Sequence, residues 1–495
     1  MMQAFELFLP LIAFFVLILA TGWWATRLTR LSSPLAYYLG ERNLSGFVLA
    51  MTLVATYGSV SSFVSGPGMA WKLGLGWVVF AAPQIIAGFF VLGILGKKIA
   101  LVSRRVEALT LIDVVKARFA ETRTGRILCA LCAVLMIVFF GAMMVGQLIG
   151  GARIFAASAG IDYTGGLLLF GIVTVLYTSL GGFRAVALTD TVCAILMIAG
   201  MFLLGGALID HAGGWDAMTA ALSTVNTDVK PGAFTSFDAG GTLSLPLLLS
   251  AWVLVGFATV GLPQSSMRCM TYEKGADLRR AMIYSTVVCG ALMIGVTTLG
   301  VFARVVLPDP SISSTDEIVP LLIVTKMHPV LAGATLLGPL AATMSTVSSL
   351  LIMAASALVK DLLGSDGRAA KWSEKTLTNR TRFVTAVIGV TTLLLAITPF
   401  DIVVWINLFA FGGLEIVFTL AVGLALFWRR ATPAGTLWGI LTGLAYYIGA
   451  LTWKWPTMGF HAVVPGLAVA LIVFFMVSLA TKNVSEKTLS AFFPD

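Results

Sequence analysis

The stretch that decides the fold is residues 51–68, MTLVATYGSVSSFVSGPG, an apolar run interrupted by hydroxyls, glycines and a proline. A second stretch of the same character, SAWVLVGFATVGLPQ, occupies residues 250–264. Inside a bilayer every backbone polar group needs a partner within the protein, so such a helix is either tightly packed or broken around a cavity. Either reading fits one stretch alone. The matched pair favours two broken helices that meet at a binding site.

Composition places these stretches in a membrane protein. The chain has 495 residues, of which 58% are hydrophobic and 11% charged, and its mean hydropathy is +0.97. Soluble domains carry roughly 45–50% apolar and about 25% charged residues. The five cysteines are an odd number and do not suggest a disulfide framework. We therefore expect an all-α polytopic membrane protein.

The length of apolar segments predicts the number of spans. A helix needs about 20 mostly apolar residues to cross a bilayer. Thirteen segments meet this requirement, and the first lacks the features of a cleaved signal peptide. They are residues 5–26, 45–71, 75–96, 127–157, 163–181, 188–209, 243–266, 281–306, 329–359, 383–398, 402–428, 433–452 and 461–481. The two broken stretches lie five spans apart and so enter the membrane from opposite sides, as an inverted five-helix repeat requires.

Lysine and arginine are divided unevenly between the two sets of loops that thirteen spans create. Of the 32 Lys and Arg residues, 26 fall in one set and six in the other. This asymmetry is the positive-inside pattern, which predicts an external N-terminus and a cytoplasmic C-terminus. It also accounts for the formal charge of +9 without nucleic acid. The acids of the outer loops, Asp316 among them, are expected to be solvated.

The sequence shows no signature of an enzyme or an ATPase. It has no phosphate-binding loop, no HExxH and no GxSxG in a suitable context. The longest loops, near 210–242 and 360–382, are too short for a nucleotide-binding domain. We expect no cofactor and no nucleic acid, and any transport has to be driven by an ion gradient.

A third polar cluster lies in the ninth span, where residues 341–349 read AATMSTVSS. Ser345 and Ser349 are four residues apart and share a helical face, as do Thr346 and Ser349 at three. Sodium is a hard cation, and hydroxyls with carbonyls freed by an unwound helix would provide its oxygen ligands. The alternative is that these hydroxyls bond only to their own helix.

Two acids fall within or beside predicted spans. Glu415 lies mid-span, where a charge is costly and usually functional, although an interhelical hydrogen bond is the alternative. Asp190 lies near the cytoplasmic start of the sixth span. It is either an acid that favours a helix start or a station on an ion exit path.

Four motifs taken together resemble the sodium/solute symporter family. They are residues 55–59 (ATYGS), 181–190 (GGFRAVALTD), 261–268 (GLPQSSMR) and 341–346 (AATMST). Residues 66–70, 149–153, 405–415 and 459–461 resemble the pantothenate branch of that family. The resemblance implies import of pantothenate, a small organic anion, with sodium as the co-transported ion. The lack of a targeting segment and the positive-inside pattern favour a bacterial inner membrane.

The resemblance also implies the domain organisation. A leucine-transporter-type core would consist of two inverted repeats of five helices, at 45–242 and 243–430. An extra helix with a cytoplasmic loop, 1–44, precedes this core, and two helices with a short cytoplasmic tail, 431–495, follow it.

The site residues come from the same resemblance. The family's shared sodium site maps onto Ala55, Gly58, Ala342, Ser345 and Thr346, and Asp190 matches an acid associated with sodium release. The candidate substrate residues are Tyr57, Ser61, Ser62, Met143, Gln147, Phe257, Thr259 and Val260. Tyr57 stands where the proline and sugar branches have Asp or Asn.

Two alternatives to this function stay open. The first is another solute within the same family, such as proline or a monocarboxylate. The second is a sodium or solute sensor, or a channel, without coupled transport. A sensor would be expected to carry a long signalling tail, and only residues 481–495 follow the last predicted span.

Overall fold

A computed structural model describes residues 2–28, 33–225, 231–308, 312, 314–364, 372–399 and 402–493. Within these ranges the regular structure is helical apart from one isolated bridge between Leu44 and Tyr272. Four cations counted in the orientation argument, Arg30, Lys230, Arg368 and Lys371, lie outside the described residues.

The helices of the first half include the first broken stretch, which is divided between α3 and α4. In chain order they are α1 (Met2–Leu28), α2 (Pro34–Leu39), α3 (Gly46–Tyr57), α4 (Ser61–Leu73), α5 (Leu75–Arg105), α6 (Leu111–Phe119), α7 (Arg123–Ala159) and α8 (Tyr163–His211).

The second half contains the other broken stretch, which is divided between α10 and α11. Its helices are α9 (Trp215–Leu222), α10 (Leu245–Gly261), α11 (Pro263–Arg268), α12 (Gly275–Val306), α13 (Ile318–Lys326), α14 (Pro329–Leu362), α15 (Glu374–Leu395), α16 (Val403–Phe427), α17 (Pro433–Thr452), α18 (Val463–Ala480) and α19 (Glu486–Phe492).

The membrane spans agree with the prediction in place but not fully in number. Among the described residues, nine helices are long and apolar enough to cross a membrane, and ten if the bent pair α3–α4 is one span. Two further apolar helices, Tyr163–Ser179 and Leu245–Gly261, are shorter, and α15 begins with charged residues. Each of the thirteen predicted segments overlaps a helix, although two of them share α8 and two are each divided between a pair of helices. Length and apolarity alone do not confirm the count of thirteen.

Helix α14 lies at the centre of the molecule. Its most apolar window is 94% buried, and the helix packs against α1, α3, α7, α8 and α15. A helix surrounded by protein needs no polar outer face, so small and hydroxyl residues occur all around it. The hydroxyl cluster of residues 341–349 is therefore inside the protein, not against lipid.

Helix α8 reverses direction at a single residue. Gly182 has φ +65° and ψ −179°, a conformation that is essentially restricted to glycine. Tyr177 before it bonds to Met344 O on α14, and Gly200 after it packs on Gly338 of the same helix. A straight helix would separate Tyr177 and Gly200 by about 34 Å, whereas Gly338 and Met344 lie only about 9 Å apart. The two arms of α8 therefore form a hairpin without a loop.

Two ion pairs tie the short helix α6 to the C-terminal end of α14. Lys116 Nζ lies 3.0 Å from Asp361 Oδ1, and Lys360 pairs with Asp113. Burial acts to raise the pKa of Asp113, but the Lys360 ammonium and the Leu109 N–H outweigh it and hold that pKa below its usual value. These two pairs thus link α6 to α14.

The close approach of α12 to α4 gives a test of the packing. A methyl group on Gly300 would lie 2.0 Å from Pro67 O, so Gly300→Ala has to push the two helices apart. We expect a cost of about 1–3 kcal/mol, seen as a lower thermal midpoint of the purified protein. Gly206→Ala, where nothing lies within 4 Å, is the matched control. Equal midpoints for the two variants would contradict this packing.

Candidate functional site

The first break in the membrane helices lies directly after Tyr57. The Gly58 N–H still donates to Val54 O at 2.7 Å, but the helix ends there. The next helix, α4, is inclined by 65° to α3. The freed N–H of Val60 is bonded by Gln147 Oε1 of α7 at 2.9 Å. A side chain thus replaces the missing helical partner, as a break inside a membrane requires.

The second break ends α10, where a π-helical turn, Trp252–Gly256, is followed by a 3₁₀-helical turn, Phe257–Gly261. Thr259 Oγ1 donates to Gly256 O at 2.5 Å, so this carbonyl is satisfied locally. Tyr57 Oη donates to Val255 O at 2.7 Å. The residue that ends α3 is therefore hydrogen-bonded to the break of α10, and the two breaks meet.

The five residues that the sequence proposes for sodium come together between α3 and α14. Ser345 Oγ lies 2.8 Å from Ala55 O and 3.1 Å from Ala342 O. Thr346 Oγ1 lies 3.3 Å from Gly58 O and 2.9 Å from Ala342 O. Three carbonyl oxygens and two hydroxyl oxygens thus face one another in a fully buried cluster.

This cluster has the chemistry of a site for a hard monovalent cation. Its ligands are neutral oxygens, and carbonyls at unwound helices are a known source of sodium ligands. Both hydroxyls also contact carbonyls of their own helix, as the alternative reading of the sequence expected. The contacts to Ala55 and Gly58 go beyond that reading, because they link two helices.

Asp190 lies on α8 and contacts Thr52 of α3, one helical turn before Ala55 of this cluster. Its Oδ2 accepts from Thr52 Oγ1 at 2.6 Å, and its other oxygen has no hydrogen-bond partner in the described part of the chain. Arg268 on α11 pairs with it at 3.1 Å, and both side chains are completely buried. Asp190 is therefore not at a helix start, since it lies within α8 eight residues after Gly182. It is half of a buried ion pair beside the oxygen cluster.

Arg268 follows the predicted span 243–266, so the sequence analysis counted it among the 26 cations of the cytoplasmic loops. The structure buries it instead. The guanidinium bonds to Thr52 O and Ser349 Oγ, at 3.1 and 2.7 Å, and to the Thr56 hydroxyl. It thereby joins α3, α8, α11 and α14. The proline of the GLPQSSMR motif indicated a new helix start, and the short helix that follows places Arg268 inside the protein.

A small cavity lies on the other side of the first break. Three of the proposed substrate residues, Tyr57, Ser61 and Ser62, line it. The sequence analysis missed the remaining lining residues, which are Gly66, Trp77, Phe80, Ala81, Gln84, Val255, Thr297, Val404, Asn407, Leu408 and Phe411. The free space is about 50 Å³, which holds a few water molecules but not an organic solute. In the described conformation, which we call closed, the cavity therefore has no room for an organic solute.

The other proposed substrate residues do not line this cavity. Met143 is buried, and Gln147 holds the backbone of the first break. Thr259 bonds within its own turn, and the half-exposed ring of Phe257 packs on Phe90 at 4.8 Å. Val260, in the same turn as these two, is also absent from the lining. The structure does not bring these five residues to the space that Tyr57 borders.

Asp316 corrects the expectation that the outer acids are solvated. Its side chain is fully buried, pairs with Arg153 and accepts from Ser65 Oγ at 2.5 Å and Val403 N at 3.2 Å. Ser65 and Val403 precede the lining residues Gly66 and Val404 in sequence. The Arg153–Asp316 pair thus lies beside one end of the cavity. Nothing in the sequence around Asp316 indicated that it is buried and paired with Arg153.

Glu415 lies on α16, one turn beyond the cavity. Its side chain is completely buried, and neither carboxyl oxygen has a hydrogen-bond partner among the described residues. The interhelical hydrogen bond that the sequence left open is therefore not formed. Among those residues there is also no cluster of three or more His, Cys, Asp or Glu side chains that could hold a metal ion.

The fold and the oxygen cluster define a membrane transporter, and comparison with known proteins supplies its family. Residues 37–443 match the model of the sodium:solute symporter family, and the chain belongs to this family. It is 39% identical over 486 residues to the sodium/pantothenate symporter of Escherichia coli, with 98% of both chains covered. It is 38% identical over 452 residues to that of Haemophilus influenzae, with 91% of both covered.

A solved structure shows the same fold. A Na⁺-coupled sialic acid symporter in a substrate-bound outward-open state superposes with a TM-score of 0.77 and 17% identity. The match covers 97% of this chain and 99% of the other. These findings confirm the predicted family and the predicted class of all-helical transporter fold. The chain is a bacterial-type multi-pass membrane protein that couples solute transport to sodium.

The buried Asp190–Arg268 pair gives a test of the site's electrostatics. Asp190→Asn leaves a buried guanidinium without its counter-charge, which we expect to cost about 3–5 kcal/mol. The double variant Asp190→Asn with Arg268→Gln removes both charges and is expected to recover part of this loss. Thermal denaturation of the purified proteins measures both effects. A double variant less stable than Asp190→Asn alone would argue against the pair.

Proposed function

We propose that this chain imports pantothenate together with sodium by alternating access. The observation that carries the proposal is the cluster of five neutral oxygens between α3 and α14. The near-full-length similarity to two sodium/pantothenate symporters favours pantothenate as the solute.

Sodium would act by linking the broken helix to the central helix. Ala55 and Gly58 belong to the end of α3, whereas Ser345 and Thr346 belong to α14. An ion bound between them holds the first break in place, and Tyr57, which lines the cavity, lies between the two carbonyl ligands in sequence. The ion favours one conformation only by its difference in affinity between the two states.

The chemistry of the cavity fits a small amphipathic solute. Pantothenate has an amide, two hydroxyls, a branched apolar centre and a carboxylate. Hydroxyl and amide side chains in the lining match its polar groups, and aromatic rings match its apolar part. The polar side chains are Ser61, Ser62, Gln84, Thr297 and Asn407, and the rings are those of Tyr57, Trp77, Phe80 and Phe411.

The charge of the solute would be balanced by the ion. None of the residues that line the cavity is charged, so a carboxylate bound there needs a counter-charge from elsewhere. Sodium between Gly58 and Thr346 lies next to Tyr57 of the lining and supplies it. Solute and ion would then favour each other's binding, as coupling requires.

We further propose the placement of the chain in the bacterial cytoplasmic membrane. The uneven distribution of Lys and Arg supports an external N-terminus and a cytoplasmic C-terminus. The two breaks support repeats at 45–242 and 243–430, because each follows the first helix of its proposed repeat.

Uptake of radiolabelled pantothenate into proteoliposomes tests the proposed function. We expect accumulation above the external concentration with an inward sodium gradient and none with potassium in its place. Competition by unlabelled proline and monocarboxylates tests the alternative solutes. Sodium-driven uptake of one of these without pantothenate uptake would overturn the substrate and leave sodium coupling intact. Uncoupled, non-saturating flux would support a channel instead.

The same assay tests the sodium ligands. Ser345→Ala and Thr346→Ala each remove one oxygen that would contact the ion, so each should raise the sodium concentration for half-maximal uptake roughly tenfold. The pantothenate specificity should stay the same. Thr343→Ala is the matched control, because that hydroxyl bonds to Pro339 O on its own helix. Unaltered sodium dependence in both test variants would reject this site.

A further inference from the structure

Glu415 belongs to a stripe of residues on α16 that leads away from the cavity. Asn407, Phe411, Glu415 and Thr419 follow one another at intervals of four and so share a face. Asn407 and Phe411 line the cavity, whereas Gly261 of the second break packs against Glu415 and Thr419. A methyl group on Gly261 would lie 2.9 Å from Glu415 Cα. Glu415 thus lies about one turn from the cavity, towards the proposed cytoplasmic side.

The carboxyl group of Glu415 has no donor to stabilise a negative charge. Neither of its oxygens is hydrogen-bonded within the described residues, and the Thr419 hydroxyl is likewise without a partner. The two nearby phenols, of Tyr57 and Tyr447, donate elsewhere. Tyr57 donates to Val255 O at 2.7 Å, and Tyr447 donates to Phe409 O at 3.1 Å.

The helices around Glu415 offer no counter-charge. Its helix packs against α6, α7, α10, α17, α18 and the turn Ser61–Ser65. On α7 the charged residues are arginines near its two ends, and Arg153 among them pairs with Asp316. On α6, Asp113 and Lys116 pair with Lys360 and Asp361. Arg118 of α6 donates to Ala425 O, ten residues beyond Glu415. The titratable groups on these elements are otherwise uncharged thiols and phenols, Cys129, Cys132, Tyr446 and Tyr447.

We propose that Glu415 is a proton-binding site of the transport cycle. In the closed conformation the carboxyl is protonated and neutral, because an unpaired carboxylate buried in the membrane is far too costly. When the path from the cavity to the cytoplasm opens, water reaches Glu415. The O–H bond then breaks, the proton passes to water, and the carboxylate stays behind. Closure of the transporter requires a proton to return.

The direction of the pH dependence follows from this cycle. In water a glutamate side chain is ionised at neutral pH, so closure captures a proton from solution. Raising the pH lowers the proton concentration and disfavours the closed state by up to tenfold per pH unit. Transport that is limited by closure should therefore slow as the pH rises from 6 to 8. Pantothenate itself does not titrate in this range, since it is a carboxylate.

Sodium-driven uptake at pH 6, 7 and 8 tests the proposal with the intact protein. We expect the wild-type rate to fall several-fold over this range and the rate of Glu415→Gln, whose side chain cannot ionise, to be independent of pH. Glu317→Gln removes an exposed acid near the outer side and should keep the wild-type profile. Equal pH dependence in wild type and Glu415→Gln would overturn the proposal.

Infrared spectroscopy gives a readout that needs no solute and so is independent of the proposed substrate. Purified wild-type protein at pH 7 should show the carbonyl stretch of a protonated carboxyl group that is missing in Glu415→Gln and present in Glu317→Gln. Absence of any difference between wild type and Glu415→Gln would show that Glu415 is ionised and refute the site. The infrared result establishes whether Glu415 is protonated even if the Glu415→Gln variant folds but fails to transport.

Discussion

The whole arrangement depends on how the interrupted helices satisfy their backbone within a membrane. A break exposes N–H and C=O groups that lipid cannot bond. At the first break Gln147 Oε1 accepts a hydrogen bond from the N–H of Val60, and at the second the Thr259 hydroxyl donates to Gly256 O. Carbonyls of Ala55 and Gly58 point instead at the hydroxyls of α14. The need to satisfy these groups thus produces the oxygen cluster as well as the cavity beside it.

Two buried ion pairs lie on either side of this centre. Asp190 and Arg268 are buried together on one side, and Arg153 and Asp316 on the other. The oxygen cluster and the cavity between them contain neutral groups only, so a bound ion is the local source of positive charge. Each pair joins different elements, α8 with α11 in one case and α7 with the turn Thr315–Glu317 in the other.

Sequence reasoning predicted the helices and the oxygen cluster better than the cavity. Ala55, Gly58, Ala342, Ser345 and Thr346 lie in two short motifs, and the resemblance to the family was sufficient to group them. The cavity is lined from α3, α4, α5, α10, α12 and α16, and no local pattern indicates which face of each helix turns inward. Arg268 and Asp316 were misplaced for a related reason, since a charge near a span end was assigned to water although tertiary packing buries it.

The loop-free hairpin of α8 has a consequence for how this chain tolerates change. The connection between its arms consists of Gly182 and its neighbours, so no exposed segment exists there for a protease to cut. Insertion of an epitope or a reporter fusion at this position would have to unwind both arms, whereas the connection after His211 offers ordinary turn residues. The spacing of these two arms is thus fixed by one backbone conformation, that of Gly182.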